Sequence, residues 1–332
     1  MRKKAFLFVL IIAMTLVGCS GGAKQYSVTY LTLFDTVTTV TGTADSEAAF
    51  QAMAQQIYDT LLEYHQLFDI YNDYEGLNNL KTVNDNAGIA PVEVDRRIIE
   101  LLVDCRAYYQ RTGGAVNAAM GSVLRLWHEA RNAQTPALPD DDALSEAALH
   151  CSWDTVVIDE AAGTLYLSDP GQRLDVGAIA KGWAAGKAAR EAPSGYLLSL
   201  GGNVVATGPK TEAGTPWVIG VTDPEGGDYL HTLNLTAGAV VTSGDYQRYY
   251  EVDGVMYHHI IDPGTLYPAA YWRSVTIICD DSGLADALST ALFVMDLETG
   301  QALLEECGAE AMWVDGAGEC YYSPGFESHI LR

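Results

Sequence analysis

The sequence predicts an α+β fold in which mixed or antiparallel sheets pack against helices. In the first half of the chain, apolar residues recur at helical spacing over long stretches. From Trp153 onward, short runs rich in β-branched and aromatic residues alternate with turn residues, as in strands. Strands and helices do not alternate regularly, which disfavours a doubly wound parallel sheet. We therefore expect one domain over residues 28–332, with a helix-rich N-terminal part and a strand-rich C-terminal part.

The N-terminal part is predicted to contain one strand and four helices. Val28–Thr41 alternates Thr and Val and is predicted to be a strand. Asp45–Phe68 carries apolar residues at helical spacing, and Ser46 is its candidate N-cap. Val92–Gln110 repeats the helical pattern and ends at a Thr-Gly-Gly stop. Two shorter helices are expected at Gly121–Arg131 and Asp142–His150.

The C-terminal part is predicted to contain many short strands interrupted by three helices. The strands are expected at Thr155–Ile158, Thr164–Leu167, Tyr196–Leu200, Trp217–Val221, Leu230–Leu235, Ala239–Val241, Met256–Ile260, Arg273–Cys279, Ala311–Val314 and Cys320–Tyr322. The helices are expected at Gly177–Arg190, Leu284–Phe293 and Glu298–Cys307.

The charge of the chain limits its partners. Its 332 residues carry a formal net charge of −24, while 48% of them are apolar, which is ordinary for a globular protein. So acidic a protein repels nucleic acid, and we expect no nucleic-acid partner. A phosphate-rich ligand would be equally hard to hold without a metal ion or local cations.

The N-terminus predicts export and lipid anchoring. A basic start precedes Ala5–Val17, an apolar stretch too short for a comfortable transmembrane helix. It leads into a Leu-Val-Gly-Cys sequence that matches the bacterial lipobox and ends at Cys19. We expect residues 1–18 to be a signal peptide, Cys19 to be lipidated and residues 19–27 to form a tether to the cell membrane, outside the cytoplasm. The alternative is an ordinary signal peptide with a chance Cys.

The five other cysteines form no C-x-x-C motif, so they suggest neither a zinc site nor a thioredoxin-like site. Because five is odd, at least one thiol stays free if the others pair. Cys279 falls in an apolar run and is expected to be a core residue.

A strand–turn–helix segment, Leu174–Trp183, is the first candidate ligand site. Asp175 is expected at the end of a strand, and Gly177 permits a tight turn whose amides, with the first helical amides, can bind an anion. Lys181 then falls in the first helical turn, where the helix dipole disfavours a cation. A bound anion would explain that position. The alternative is a structural turn with a surface Lys.

Two further segments offer glycine turns, hydroxyls and nitrogen ligands. The pair Gly201-Gly202 follows a predicted strand and allows close backbone approach, although a structural turn explains it more simply. Thr242–Glu251 offers the hydroxyls of Thr242 and Ser243 at a turn, with the cation of Arg248. His258 and His259 would point to opposite faces of a strand, so at most one faces a given site. Zinc would lack a third ligand at metal spacing, and a structural role is the alternative for both histidines.

Asp286 and Thr290 stand at positions i and i+4 of a predicted helix and therefore on one face of it. A carboxylate and a hydroxyl form a sparse ligand set that suits magnesium, which keeps water and substrate phosphate oxygens as its other ligands. The alternative is an Asp that interacts with the helix dipole and a Thr that bonds back within the helix. Taken with the cations and turns above, these residues indicate a diphosphate held through a metal ion, whose charge would offset the acidic repulsion.

These segments give the sequence a resemblance to the ApbE family of FAD:protein FMN transferases, from about Leu33 to the C-terminus. The matching motifs, in chain order, are Asp175–Gly182, Leu200–Asn203, Thr242–Tyr246 with Tyr249–Glu251, His259–Pro263 and Ala285–Leu292. The resemblance implies an ApbE-like fold. It also implies a reaction in which a Thr hydroxyl of an acceptor protein attacks the FMN phosphorus of FAD and AMP leaves.

The resemblance further implies the site residues. Magnesium would be bound by Asp286, Thr290 and the backbone oxygen of Ala178, with Ser289 as a further candidate ligand. Either Asp286 or His259 would assist the nucleophile. The expected FAD contacts are Phe34, Tyr71, Gly114, Ala115, Val116, Asp175, Lys181 and Ile260. The acceptor would be an exported flavoprotein or a subunit of a membrane redox complex.

Three segments depart from the family pattern. Phe34-Asp35-Thr36 stands where the family has Met-Gly-Thr, Asn117–Val123 replaces Asp-Pro-Thr-x-Gly-Pro-Leu, and Thr265-Leu266 replaces Thr-Gly. They lie near the expected adenine and isoalloxazine contacts. Two alternatives to transfer therefore stay open: an FAD hydrolase that releases FMN and AMP, and a flavin-binding lipoprotein without enzymatic activity.

Overall fold

The protein adopts the predicted α+β fold, in a computed structural model that describes residues 23–331. The expected signal peptide, Cys19 and the first part of the expected tether lie outside the described residues. The strands are β1 (Lys24–Leu33), β2 (Thr36–Ala44), β3 (Val92–Glu93), β4 (Val156–Asp159), β5 (Thr164–Leu167), β6 (Tyr196–Leu200), β7 (Asn203–Ala206), β8 (Trp217–Thr222), β9 (Tyr229–Leu235), β10 (Gly238–Gly244), β11 (Tyr249–Val252), β12 (Val255–His258), β13 (Ser274–Cys279), β14 (Glu310–Val314) and β15 (Cys320–Tyr322). The helices are α1 (Glu47–Phe68), α2 (Leu80–Asp85), α3 (Arg96–Arg111), α4 (Gly121–Asn132), α5 (Asp141–Ala148), α6 (Ala180–Glu191), α7 (Ser282–Ala291) and α8 (Leu297–Cys307).

An eight-stranded sheet in the order β1-β2-β6-β7-β10-β13-β14-β15 forms the centre of the molecule. Every neighbouring pair in it is antiparallel. Helices α1 to α5 all precede β4, and strands β4 to β15 follow them, which confirms the helix-rich and strand-rich parts.

Apolar residues cover both faces of this sheet. Along β10, Ala239 and Val241 belong to the larger core, which includes buried residues of α1, α3, α6 and α7. Val240 points the other way, into a second core formed with the β8–β9 hairpin. A third, smaller core joins α4 and α5 to the β11–β12 hairpin. Because strand side chains alternate between faces, one strand can serve two cores.

The strand expected at Val28–Thr41 is in fact a hairpin of β1 and β2, so that prediction is wrong. The chain turns at Phe34 and Asp35, whose φ angles are 52° and 50°. Two consecutive positive φ angles are the geometry of a tight hairpin turn, which usually contains Asn or Gly. Asp35 is a residue type that tolerates positive φ, but Phe34 is not, so the sequence gives only a weak signal of the turn.

Two other boundaries differ from expectation. The helix predicted from Val92 begins only at Arg96, because Val92 pairs with β5 and the side chain of Asp95 caps the helix by accepting from the Arg97 amide. Strand β1 begins at Lys24, so the last residues of the expected tether belong to the folded domain. Helix α1 is capped by Ser46 as predicted.

No helix within residues 23–331 is long and apolar enough to cross a membrane. The five cysteines in this part of the chain are all free thiols, and Cys279 is buried as expected.

Candidate active site

A cleft of about 890 Å³ opens where the β6–β7 turn, the start of α6 and the β11–β12 hairpin meet. Most of the site residues predicted from the sequence line it. These are Phe34, Tyr71, Ala115, Val116, Asp175, Ala178, Lys181, His259, Ile260, Asp286 and Thr290. Residues up to 256 positions apart in the chain thus share one cavity, as a single binding site requires.

Two predicted residues stand behind the cleft wall. Ser289 is fully buried, and its hydroxyl donates to the backbone oxygen of Asp286 at 2.8 Å and pairs with the Ser243 hydroxyl at 2.8 Å. Gly114, with a φ of 92°, shapes the turn after α3 that presents Ala115 and Val116 to the cleft. Both residues therefore support the site from outside its lining.

The buried carboxylate of Asp286, on α7, lies against the start of α6. Its Oδ2 accepts the Gly182 amide at 2.7 Å and the Asn203 side-chain amide at 3.2 Å. Its Oδ1 lies 4.0 Å from Lys181 Nζ. Burial raises the pKa of Asp286, while Lys181 and the two amide donors oppose that rise. A charged Asp286 is therefore costly unless further positive charge lies beside it.

Two other cleft residues, Ala178 and Thr290, present oxygen atoms that have no donor among the described residues. In a regular helix the Gly182 amide would bond to the Ala178 carbonyl, but here it bonds to Asp286, and no described residue donates to the Ala178 oxygen. The Thr290 hydroxyl also lines the cleft without a hydrogen bond to the described residues. A carboxylate, a carbonyl and a hydroxyl are the ligands that magnesium accepts, so these residues fit the expected ion. Within residues 23–331 no group of three or more His, Cys, Asp or Glu could hold a metal instead.

Four amides of the expected anion site at the start of α6 have acceptors within the protein. The Gly177 amide donates to Asp175 Oδ1 at 2.8 Å, the amides of Ile179 and Ala180 donate to the Val176 carbonyl, and Gly182 serves Asp286. The amides of Ala178 and Lys181, in contrast, have no acceptor among the described residues. Positive charge for a phosphate would come from Lys181, which lies in the first turn of α6 as predicted, and from a metal ion.

Asp175 lies in the cleft wall close to three basic side chains. Burial raises its pKa, and the Gly177 amide and the charges of His128, Lys181 and Arg248 oppose the rise. The site therefore contains two carboxylates, Asp175 and Asp286, whose negative charges each require compensation.

The two adjacent histidines both line the cleft but have different hydrogen-bond partners, and only His258 belongs to β12. His258 is structural, since its Nε2 donates to the Ala269 carbonyl at 2.9 Å and its Nδ1 accepts the Ile260 amide at 3.2 Å. His259 lines the cleft, and its Nδ1 lies 3.2 Å from the Arg248 carbonyl. Because a carbonyl only accepts, Nδ1 carries the proton and Nε2 keeps a lone pair. Desolvation, with Lys181 and Arg248 nearby, lowers the pKa of His259 to about 3, so the ring is neutral at physiological pH.

Sequence reasoning missed an aromatic wall of the cleft. The Tyr71 ring stacks on His128 of α4 with centroids 4.9 Å apart and an interplanar angle of 24°. Arg131 lies beside them, with Nη2 2.9 Å from His128 Nδ1. Nothing in the sequence pairs residue 71 with residue 128, since only tertiary folding joins them. Such a wall suits a flat ring system.

Comparison with known proteins assigns the chain to a family. The model of the ApbE family matches residues 27–313. The FAD:protein FMN transferase of Treponema pallidum is 35% identical over 329 residues, which cover 92% of this chain and 90% of that protein. One from Klebsiella pneumoniae is 31% identical over 263 residues, 77% of this chain and 79% of that protein. The crystal structure of the ApbE protein of Thermotoga maritima superposes with a TM-score of 0.84 at 32% identity, over 93% of this chain and all of that one. The chain therefore belongs to the ApbE family.

Proposed function

We propose that this protein transfers the FMN half of FAD to a threonine hydroxyl of an acceptor flavoprotein, with magnesium bound and with release of AMP. The observation that carries the proposal is that Asp286, Ala178 and Thr290 line one cleft, where Lys181 Nζ lies 4.0 Å from Asp286 Oδ1. On a chain of net charge −24, this is where a diphosphate can be neutralised. The curated relatives that carry the name FAD:protein FMN transferase support the choice of FAD as substrate.

In the proposed reaction the threonine oxygen forms a bond to the FMN phosphorus, and the bond from that phosphorus to the oxygen shared with AMP breaks. AMP leaves with that oxygen, and the threonine proton passes to a base. A bound magnesium ion would supply charge neutralisation at the diphosphate. Lys181 would hold the phosphates, and the aromatic wall of Tyr71 and His128 would orient a ring of the substrate.

Between the two candidates for the base, the geometry favours His259. Its neutral ring has a free Nε2 lone pair, whereas Asp286 Oδ2 is engaged by two amides and Oδ1 faces Lys181. We therefore assign proton acceptance to His259 and metal binding to Asp286.

The test is incubation of the purified protein with FAD, Mg²⁺ and the flavin-free form of a flavoprotein that normally carries FMN on a threonine. We expect FMN-labelled acceptor and AMP in equal amounts. Replacement of the target threonine by alanine should abolish labelling. AMP release with no labelled acceptor would instead identify an FAD hydrolase, and tight FAD binding with no AMP would identify a flavin-binding protein.

We also propose that lipid on Cys19 anchors the protein at the outer side of the cytoplasmic membrane. The lipobox-like sequence supports this. In that location the acceptor must be exported or exposed on the same side. Cys19→Ser should move the protein from the membrane fraction to the soluble fraction of cells, and an unchanged membrane fraction would argue against the anchor.

A further inference from the structure

The β11–β12 hairpin has an open strand edge beside the cleft. Among the described residues, β11 pairs only with β12, through a two-residue turn at Asp253 and Gly254 with φ angles of 51° and 76°. The His259 amide donates to the Arg248 carbonyl at 3.0 Å. Because bonded pairs alternate along an antiparallel ladder, the next bonded pairs inward are 250 with 257 and 252 with 255.

Two residues of β11 consequently direct their backbone groups away from the hairpin. Tyr249 and Glu251 occupy the alternate positions, so their N–H and C=O groups point outward. No hydrogen bond from residues 23–331 reaches them, and both side chains are exposed. Tyr249 is 46% exposed. An unpaired edge of this kind is a template for another extended chain.

The other edge of the hairpin is closed at its cleft end. After β12 the chain folds back, so that the Ala269 amide donates to the Ile260 carbonyl at 3.0 Å, and Ile261 forms a bridge with Pro268. The edge of β11, in contrast, stays open as far as Arg248, which lines the cleft. Only one edge of the hairpin therefore leads an added strand to the site.

We propose that the outer edge of β11 binds an extended segment of the acceptor protein by strand addition, next to its target threonine. This inference rests on the proposed function, since transfer requires a polypeptide to reach the cleft while FAD occupies it. Unpaired backbone donors and acceptors are the chemistry that recognises a peptide main chain. A segment paired with Tyr249 and Glu251 would continue past Arg248, whose carbonyl holds the ring of His259. Its threonine would then approach the proposed base.

The enzyme side of the proposal is tested with Glu251→Pro, which removes one outward N–H and keeps the inward bonds of β11. We expect the KM for the flavin-free acceptor to rise about five- to tenfold, as for the loss of a main-chain hydrogen bond. The matched control is Met256→Pro, since Met256 lies opposite Glu251 and points outward from β12. It should leave the acceptor KM unchanged. An equal rise in both variants, or in neither, would overturn the proposal.

A second measurement leaves the enzyme unaltered. A synthetic peptide centred on the acceptor threonine is N-methylated at alternate residues, in one register and then in the other. Strand addition predicts that one register blocks labelling and the other does not, because only every second amide faces β11. Equal labelling in both registers would contradict strand addition. FAD affinity, followed by flavin fluorescence, separates failure of strand addition from failure of the proposed function. If the unaltered protein does not bind FAD, the proposed function itself is rejected.

Discussion

At the scale of single residues, the site depends on a carboxylate placed where its charge is costly. The Asp286 side chain, on α7, is buried against the start of α6, and that burial raises its pKa. A cation bound beside the carboxylate would offset the free-energy cost of burying its charge. Removal of the charge should therefore lower the activity of the enzyme but raise the stability of the metal-free protein.

Replacement of Asp286 by Asn tests this opposition. The amide keeps the shape of the side chain but loses the charge, so we expect turnover to fall by at least about a hundredfold. In metal-free buffer the melting temperature should rise, since the desolvation penalty disappears. AMP release and thermal melting measure the two effects. The matched control is Asp281→Asn in the same helix, where Asn still caps the N-terminus and neither quantity should change much. Full turnover in Asp286→Asn would show that the ligand assignment is wrong.

His259 gives a second test at this scale, through pH. Its pKa is lowered to about 3, so the folded protein binds fewer protons than the unfolded chain between that value and about 6.5. Folding stability therefore falls on acidification across this window. In His259→Gln, the free energy of unfolding, measured by denaturant at pH 7 and pH 5, should depend less on pH. An identical dependence in both proteins would contradict a neutral, desolvated His259.

The same substitution should lower kcat while FAD affinity stays the same, because in the proposed reaction the ring acts on the nucleophile and not on FAD. A reduction of about a hundredfold or more is expected for the loss of a general base. Because the ring is already neutral, the rate of the unsubstituted enzyme should show no change between pH 5 and pH 8 that is due to protonation of His259. Flavin fluorescence titrations and initial rates measure these quantities. A parallel loss of FAD affinity would place His259 in substrate binding instead.

At the scale of elements, the site is built by the close packing of α6 on α7. A Cβ at Gly182 would meet the Ser282 carbonyl oxygen at 2.3 Å and Asp286 Cβ at 2.5 Å. The backbone of α6 therefore approaches α7 closely enough for the Gly182 amide to bond to the carboxylate only because this residue is Gly. Gly182, which ends the family motif Asp175–Gly182, is thus also required for the packing of α6 on α7.

Gly182→Ala should destabilise the protein by about 1–3 kcal/mol, as overpacking does, and should weaken magnesium binding with it. The control is Gly186→Ala in the same helix, where the added Cβ meets Ser282 Cβ at an ordinary 3.4 Å. Better helix propensity should make that variant about 0.5–1 kcal/mol more stable. Denaturant unfolding compares the two. Equal stabilities would show that the contact of the two helices is looser than described.

Some of these elements could be predicted from the sequence and others could not. Asp286 and Thr290 were placed on one face of a helix by spacing alone, because the helical period is fixed. The turn at Phe34 and Asp35 was not predicted, because Phe rarely adopts positive φ and a single Asp is a weak turn signal. The stacking of Tyr71 on His128 could not be predicted either, because these residues lie far apart in the chain and a single sequence does not show which distant residues are in contact.

At the scale of the whole molecule, the fold brings a ligand site to the end of a sheet that is covered on both faces. The cores fix the strands, so the cleft residues between β7, α6 and α7 are held on rigid elements. The acidic surface, in contrast, repels the diphosphate that the cleft should bind. We therefore regard the metal as the component that reconciles an anionic protein with an anionic substrate.

The dependence of FAD affinity on magnesium measures this directly. In equilibrium titrations followed by flavin fluorescence, the unsubstituted protein should bind FAD at least about tenfold more tightly with Mg²⁺ than with a chelator. In Asp286→Asn the two affinities should be equal. The account would be contradicted if the unsubstituted protein bound FAD equally well without Mg²⁺, or if Asp286→Asn kept the full magnesium effect.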